Sequence, residues 1–547
     1  MHLSRNHTVT IALSAGLICL LLYLRALSCD FVNFDDPDYV IENPAIRILD
    51  WQFLTEAFST SYMGWWMPLT WISLAIDYNF WGLNALGFHL TNILLHAINT
   101  ALVVLIADRL LRQVMESEAD QNSRGSYLYP ATLLLAGLLW GIHPLRVESV
   151  AWVTERKDVL NGIFSLGSIL CYLCYAHKKE SAEQNNGAIR DYILSLVLLL
   201  LSLMAKPVSV VIPAMLLVAD WYPLGRLQRG RIVAVLIEKI PFLVLSASLS
   251  IATVHFASDA TILVSFQDFP LAKRVVLAGN SIFEYVSLSV YPVGITHLYL
   301  LPRVFPVSYY LAMALAISFT IFCICNYKKR PWLFATWLAF ILPLLPVLGF
   351  LQNGAQAYAA RFTYLPAVAP SIAVAAIIAA LYRKSASIPA RFARNIFICL
   401  VAVLLLFYGT TTVKLIGSWK NSATLWSRSI DIQPSGRAFY FRGDYYLQKG
   451  KYLAAAEDLS VSIRMGQEAG FPGLFNLHAL RGDALSKARH YEEAVKEFTS
   501  AIQLNPFPNY FYHRWLALKA LGNLKASEED FKQAGTETGP ITWQPFQ

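Results

Sequence analysis

The stretch TVTIALSAGLICLLLYLRAL, Thr8 to Leu27, decides the class of fold. It holds one charge, Arg25, in a run long enough to cross a hydrocarbon core of roughly 30 Å as a helix. Met1-His2-Leu3-Ser4-Arg5 before it has the look of a secretory leader. The apolar run is too long for one, however, and no small-residue cleavage site closes it. The stretch therefore predicts a first transmembrane helix with its N-terminus inside. Further apolar blocks follow at 89–111, 130–143, 158–176, 191–205, 207–220, 232–255, 306–326, 332–350, 364–382 and 395–415, giving about eleven spans and an outer C-terminus. The block Val275 to Ile295 holds Asn280, Glu284 and Tyr285 and breaks at Tyr291-Pro292, so it predicts an interfacial or re-entrant helix.

Composition agrees. Of 547 residues, 56% are hydrophobic and 15% charged, with a mean hydropathy of +0.46, too apolar for an ordinary soluble enzyme of this length. The net charge of +8 does not signal nucleic acid. Its cations sit in short clusters between apolar blocks: Lys178-Lys179, Arg226 to Arg231, Lys328 to Arg330, and Arg383-Lys384 with Arg391 and Arg394. Inside-facing loops collect positive charge in this way. The seven cysteines (19, 29, 171, 174, 323, 325 and 399) lie almost entirely in apolar segments and read as small buried hydrophobes.

After about residue 416 charges become dense and a repeat emerges. Gly443, Tyr446, Tyr452, Ala455 and Leu459 are answered by Gly482, Leu485, Tyr491, Ala494, Phe498, Ala501 and Pro506, and a third unit supplies Leu518, Leu524, Phe531 and Ala534. This is the spacing of a tetratricopeptide repeat, a pair of antiparallel helices of about 34 residues. The chain is thus expected to be all-α: a membrane domain over 1–415, a linker over 416–435, about three repeats over 436–535 and a tail over 536–547. Stacked repeats form a concave surface suited to a peptide or protein partner.

Four polar clusters fall on the outer face, where ionisable groups near lipid are costly and are kept mainly where they work. The first is DFVNFDDPDY, Asp30 to Tyr39. Adjacent Asp35 and Asp36 would raise each other's pKa and suit a general base. Asp36 and Asp38 could instead ligate a divalent cation such as Mg or Mn, or the segment could be an Asx-rich turn. The second, HPLRVESVAWVTERKD over His143 to Asp158, carries His143, Glu148, Arg156 and Asp158. The third is Lys206-Pro207, and the fourth is Gln352 to Pro366 with Arg361. Arg156, Lys206 and Arg361 suit a phosphate at headgroup level, arginine by bidentate donation and lysine as a point charge.

Together FVNFDDPDY, GFHLTNILLHAIN (Gly87 to Asn99), HPLRVESVAWVTERKDVL (143–160), AKP (Ala205 to Pro207) and ARFTYLP (Ala360 to Pro366) resemble the transmembrane and tetratricopeptide repeat protein family. That family is similar to the protein O-mannosyltransferases and has the GT-C glycosyltransferase fold. The resemblance implies a multi-pass membrane enzyme that moves a sugar from a polyprenyl-phosphate carrier to a Ser or Thr hydroxyl of a protein on the periplasmic or lumenal side. A bacterial inner membrane is the first expectation and the endoplasmic reticulum the second. It also implies Asp35 or Asp36 as base, with His143, Glu148, Arg156, Lys206 and Arg361 around the donor's phosphate and sugar, and the repeats as the acceptor's binding surface. An oligosaccharide ligase using a lipid pyrophosphate, or a non-enzymatic membrane-anchored scaffold, are the alternatives. The chain departs from the family in carrying Glu155 where glycine is common, and in having only three repeats.

Overall fold

The computed structural model describes residues 5–116, 127–180, 185–228, 230–258, 264–350, 356–386, 391–535, 539 and 541. Gln352, Asn353, Gly354 and Ala355 of the fourth cluster, and most of the expected tail, lie outside the described residues. Two compact units emerge: Met1–Phe31 with Asp36–Trp419, and Val32–Asp35 with Lys420–Gln547.

The first unit is built of helices α1 (Arg5–Tyr23), α2 (Trp51–Ser59), α3 (Pro68–Trp81), α4 (Ala85–Glu116), α5 (Leu128–Gly141), α6 (Val147–Ala151), α7 (Arg156–Glu180), α8 (Asn185–Ala205), α9 (Ile212–Trp221), α10 (Ile232–Ile237), α11 (Ile240–Ser258), α12 (Leu271–Val290), α13 (Val307–Cys325), α14 (Pro331–Ile341), α15 (Val368–Ala386) and α16 (Arg391–Ser418). A two-stranded antiparallel ribbon, β1 (Tyr299–Leu300) on β2 (Gln356–Tyr358), pairs Tyr299 with Tyr358.

Seven helices among the described residues are long and apolar enough to cross a membrane, or eight if Leu128–Gly141 and Pro144–Ala151, bent by 51°, form one span. About eleven were expected. The blocks at 207–220 and 332–350 give only the shorter apolar helices Pro207–Trp221 and Pro331–Val347. Each includes a tight 3-10 segment, Pro207–Val211 and Leu342–Val347, in sequence carrying Pro207, Pro213, Pro343 and Pro346, each of which lacks a backbone donor. Helix α12, over the block read as interfacial or re-entrant, is also outside the set of seven and buries Arg274 and Asn280.

In lipid the hydrophobic effect does not drive helices together, so close packing and interhelical hydrogen bonds must. Both are present. At Gly16 an added Cβ would lie 2.8 Å from the Ala97 carbonyl oxygen, which is why α1 can lie directly on α4. Between α7, α8 and the turn before α9, Ser165 Oγ is 2.6 Å from Ser202 Oγ, Ser209 Oγ is 2.6 Å from Ser202 Oγ, and Asn161 Nδ2 donates to Ser209 Oγ at 2.6 Å. One turn further along, the Ser168 and Ser195 hydroxyls each donate to the other residue's carbonyl at 2.8 Å.

At the other end of α7 the basic clusters find acids. Asp220 takes Arg226 at 2.8 Å, Lys239 at 2.6 Å and the Tyr172 hydroxyl at 2.7 Å. Glu238 takes Lys179 at 2.6 Å and Arg226 at 3.0 Å. The acid-base pair Glu238-Lys239, which lies within an apolar block, is therefore part of a compensated network.

The second unit contains α17 (Ser422–Ile432), in the stretch read as a linker, and then three helix pairs. Asn421 and Thr424 close α17 with a reciprocal capping box. The pairs are α18 (Gly436–Gln448) with α19 (Tyr452–Glu468), α20 (Leu474–Lys487) with α21 (Tyr491–Leu504), and α22 (Pro508–Ala520) with α23 (Leu524–Ala534). The repeat glycines mark close crossings: a Cβ on Gly482 would come within 2.8 Å of the Phe498 ring. Each pair also carries an ion pair at one spacing, Arg442–Asp458, Arg481–Glu497 and Arg514–Asp530. Asn33, from the segment 32–35, accepts from Trp426 Nε1 at 2.9 Å and donates to the Phe441 carbonyl at 2.8 Å.

Gly16→Leu should push α1 off α4 at a cost of about 1–3 kcal/mol, whereas Ser168→Ala, which removes one donated interhelical bond, should cost about 0.6 kcal/mol. Thermal unfolding of the detergent-solubilised chain should therefore show the larger fall for the glycine variant.

Candidate functional site

The segment His143 to Asp158 is a run of short turns. α5 ends at Gly141, His143 caps the 3-10 turn Pro144–Arg146 by accepting from the Leu145 amide, α6 follows, and a second 3-10 turn Val153–Glu155 leads into α7. A regular helix would spread its charges around the axis. This broken path buries Arg146, Glu148, Glu155, Arg156 and Asp158. The carbonyls of Val150 and Trp152 in the break accept from Asn92 Nδ2 on α4, meeting the need of freed backbone groups for partners in a membrane.

The ARFTYLP segment docks onto this run. Ala360–Thr363 forms a 3-10 turn directly after β2. Tyr364 donates and accepts among α4 side chains: its hydroxyl lies 2.8 Å from His96 Nδ1 and 2.9 Å from Asn99 Nδ2, while its carbonyl accepts from Trp140 Nε1 at 2.9 Å. This fixes Arg361 over Glu148. The Arg361 guanidinium pairs with the Glu148 carboxylate, and the Arg361 amide donates to the other Glu148 oxygen at 3.0 Å. Arg361 Nε is 3.2 Å from Glu155, and Nη2 donates to Gln356 at 2.8 Å.

Lys206 completes the group. It lies 2.5 Å from Asp158 and 3.4 Å from Glu155, and Glu155 also meets Lys157 at 3.3 Å. Glu148, Glu155 and Asp158 thus face Lys157, Lys206 and Arg361, three charges of each sign. Lys157 and Lys206 keep side-chain exposures of 12% and 14%, so an incoming anion could meet their ends. Glu155, the residue that departs from the family pattern, sits at the centre and touches all three cations.

Of the residues expected at the site, Glu148, Lys206 and Arg361 converge. Arg156 does not join them. Fully buried, it pairs with Asp77 at 2.5 Å and donates to Asn92 at 2.5 Å, Ser73 at 2.8 Å and the Phe88 carbonyl at 2.9 Å. It therefore ties α3 and α4 to the start of α7. Asp77 was missed in the sequence. Its signal was an acid inside the apolar run PLTWISLAIDYNFW. His143 turns elsewhere, into a cavity lined also by Ser289 and Tyr408, with Nε2 3.1 Å from the Ser289 carbonyl.

The two adjacent aspartates part company. Asp36, only 1% exposed, belongs to the first unit and accepts from the Thr154 hydroxyl at 2.6 Å and the Thr154 amide at 3.1 Å. Asp35 is half-buried in the second unit, where burial lowers the Arg437 pKa and the Asp35 carboxylate opposes that shift. Asp38 is half-buried, and burial together with the Asp38 and Glu42 carboxylates raises the Tyr62 phenol. No group of three or more His, Cys, Asp or Glu side chains converges as metal ligands among the described residues.

A tetratricopeptide repeat family model matches residues 475–508, the middle helix pair. The chain is 28% identical over 239 residues to protein O-mannosyl-transferase TMTC4 of Homo sapiens, covering 42% of this chain and 31% of that protein. It is 33% identical over 162 residues to protein O-mannosyl-transferase tmtc2 of Xenopus laevis, covering 28% of this chain and 17% of that one. The chain thus spans less than a third of the length of these curated relatives. Among solved structures, archaeal oligosaccharyltransferase AglB from Archaeoglobus fulgidus, in complex with an inhibitory peptide and a dolichol-phosphate, aligns at a TM-score of 0.44 and 14% identity over 79% of this chain and 59% of that one. The sequence matches support the family resemblance carried by the motifs.

Arg361→Ala leaves Glu148 and part of Glu155 unpaired, a loss of about 3–5 kcal/mol. Adding Glu148→Gln should restore part of it, because the stranded charge is removed with its partner. Chemical unfolding of the solubilised single and double variants measures this coupling.

Proposed function

We propose that this chain is an integral-membrane glycosyltransferase that moves a sugar from a polyprenyl-phosphate carrier to a Ser or Thr hydroxyl of a protein on the periplasmic or lumenal side of the membrane. The observation that carries the reading is the buried layer of three carboxylates and three cations, assembled from the 143–160, Lys206 and ARFTYLP motifs. Burying such groups in a membrane protein is expensive and is retained mainly for function. The similarity to proteins named O-mannosyl-transferases supplies the chemistry that such a layer would serve. By the same resemblance the domain is a GT-C one.

In this reading an aspartate of the first outer loop takes the proton from the acceptor hydroxyl. The oxygen attacks the anomeric carbon, the new glycosidic bond forms as the bond to phosphate breaks, and the lipid phosphate leaves as an anion with inversion at carbon. That aspartate is Asp35 or Asp36, and Asp36 is held by Thr154. Lys206 and Lys157 present cationic ends that stabilise the developing phosphate charge, and Arg361 and Glu148 set their positions. Arg156 orients the start of α7 through Asp77. No step is routed through a divalent cation: among the described residues no group of three or more His, Cys, Asp or Glu side chains converges at Asp36 and Asp38. The helix pairs of the second unit would bind the acceptor protein.

The test is release of polyprenyl phosphate from a radiolabelled polyprenyl-phosphate hexose by the purified full chain with an acceptor protein. Changing both Asp35 and Asp36 to Asn should lower the rate by about 10²-fold or more, the usual worth of a general base, with the protein still folded in detergent. Thr154→Val, which removes the hydroxyl's bond to Asp36 and keeps the amide's, should lower it less. Full turnover by the Asp35→Asn, Asp36→Asn double variant would refute the mechanism.

A further inference from the structure

Among the described residues, each cation of the charge-balanced layer is matched by a carboxylate. Arg146 is not. It lies 1% exposed between two aromatic rings, with its guanidinium carbon 5.8 Å from the Trp140 ring centre and 5.7 Å from that of Tyr364. Nη2 donates to the Thr363 hydroxyl at 2.7 Å. Nε and Nη1, both buried, have no hydrogen-bond partner among the described residues. Ring faces attract the charge, but they do not accept these two N–H groups as a carbonyl or carboxylate would. An unsatisfied buried donor of this kind is rare enough to call for a ligand or an ion.

Arg146 lines the cavity into which His143 turns, a space of about 240 Å³. Its other walls are almost wholly apolar, including Trp140, Phe340 and Trp337, and its rim is made by Val290, Phe319 and Val374, which are exposed. Phe319 belongs to α13, one of the helices long and apolar enough to span the membrane, so the rim opens towards acyl chains. At about 30 Å³ per water-sized group, the space takes about eight such groups, enough for one polar head and the first part of one chain.

We infer that this cavity is the seat of the lipid carrier itself: the phosphate monoester of a single-chain polyprenyl lipid enters sideways from the bilayer and places its head on Arg146, with its first isoprene units against Trp337, Phe340 and Val290. Charge complementarity selects an anion. The apolar walls select a hydrocarbon chain rather than free phosphate, and the small volume selects one chain rather than two. A planar guanidinium is the side chain best matched to a phosphate's paired oxygens. The Thr363 hydroxyl holds the guanidinium in place, and His143 is fixed by the Ser289 carbonyl at the same wall. Arg146 is thus a carrier-binding residue that acts on the same donor phosphate as Lys206 and Lys157 of the charge-balanced layer. The identity of the lipid rests on the transferase reading above.

Binding can be read without turnover, by native mass spectrometry or thermophoresis of the detergent-purified full chain with farnesyl monophosphate as probe. Wild type should bind it, and Arg146→Gln should weaken binding about ten- to hundredfold, the worth of a charge-assisted hydrogen bond. Farnesol and inorganic phosphate should each bind far more weakly. Val374→Trp, at the exposed rim, leaves the guanidinium intact and should also weaken binding by narrowing the mouth; it keeps the test decisive if Arg146→Gln fails to fold. Unchanged binding in a folded variant of either kind overturns the inference. So does tight binding of inorganic phosphate, or of a diacyl phosphatidate that farnesyl monophosphate cannot displace. Arg146-dependent binding without any sugar transfer would overturn the transferase reading alone. Transfer by Arg146→Gln at the wild-type KM for the donor would overturn this one alone.

Discussion

A charge taken out of water inside a membrane protein must be compensated or it unfolds its surroundings. Much of the first unit is arranged to meet that demand. Glu148, Glu155 and Asp158 are neutralised by Lys157, Lys206 and Arg361, and Arg156 by Asp77. Asp220 and Glu238 are neutralised by Arg226, Lys239 and Lys179. Each set ties together segments far apart in the chain, so each is also a structural clamp. Arg361 and Glu148 are 213 residues apart and Lys206 and Asp158 are 48 apart.

The same economy explains the broken helices. The segment His143 to Asp158 gives up regular helical hydrogen bonding, and Asn92 and the short 3-10 turns recover much of what is lost. In return, Glu148, Glu155, Lys157 and Asp158 meet in one charge-balanced layer instead of spiralling around an axis. Between the two ends of α7 the serine ladder supplies the polar contacts that hold α7 to α8, where lipid offers no competing donors.

The spans and the repeats were legible in the sequence because both are local patterns. Twenty apolar residues in a row and glycine, tyrosine and alanine at fixed offsets need no knowledge of the rest of the chain. The span number was less legible, since prolines within 207–220 and 332–350 shorten helices that hydropathy alone reads as full length. Pairing was hardly legible at all. The motifs announced Arg156 and Arg361 as equivalent outer cations, yet one faces Asp77 and the other Glu148 and Glu155, a choice made by how α3, α4 and α7 pack. Asp35 and Asp36, one pair on paper, belong to different units. Arg146 has nothing local in HPLRVESVAW to set it apart; that two of its buried N–H groups lack a hydrogen-bond partner among the described residues is a property of the folded chain.

The proposed transfer of sugar from a lipid carrier to protein would leave its record in the cell. The most direct measurement is mass spectrometry of glycopeptides from cells with and without the gene, with lipid-linked sugars quantified in the same membranes. Hexose-bearing Ser or Thr peptides should vanish with the gene while the lipid-linked donor accumulates. Identical glycopeptides and an unchanged donor pool would contradict it.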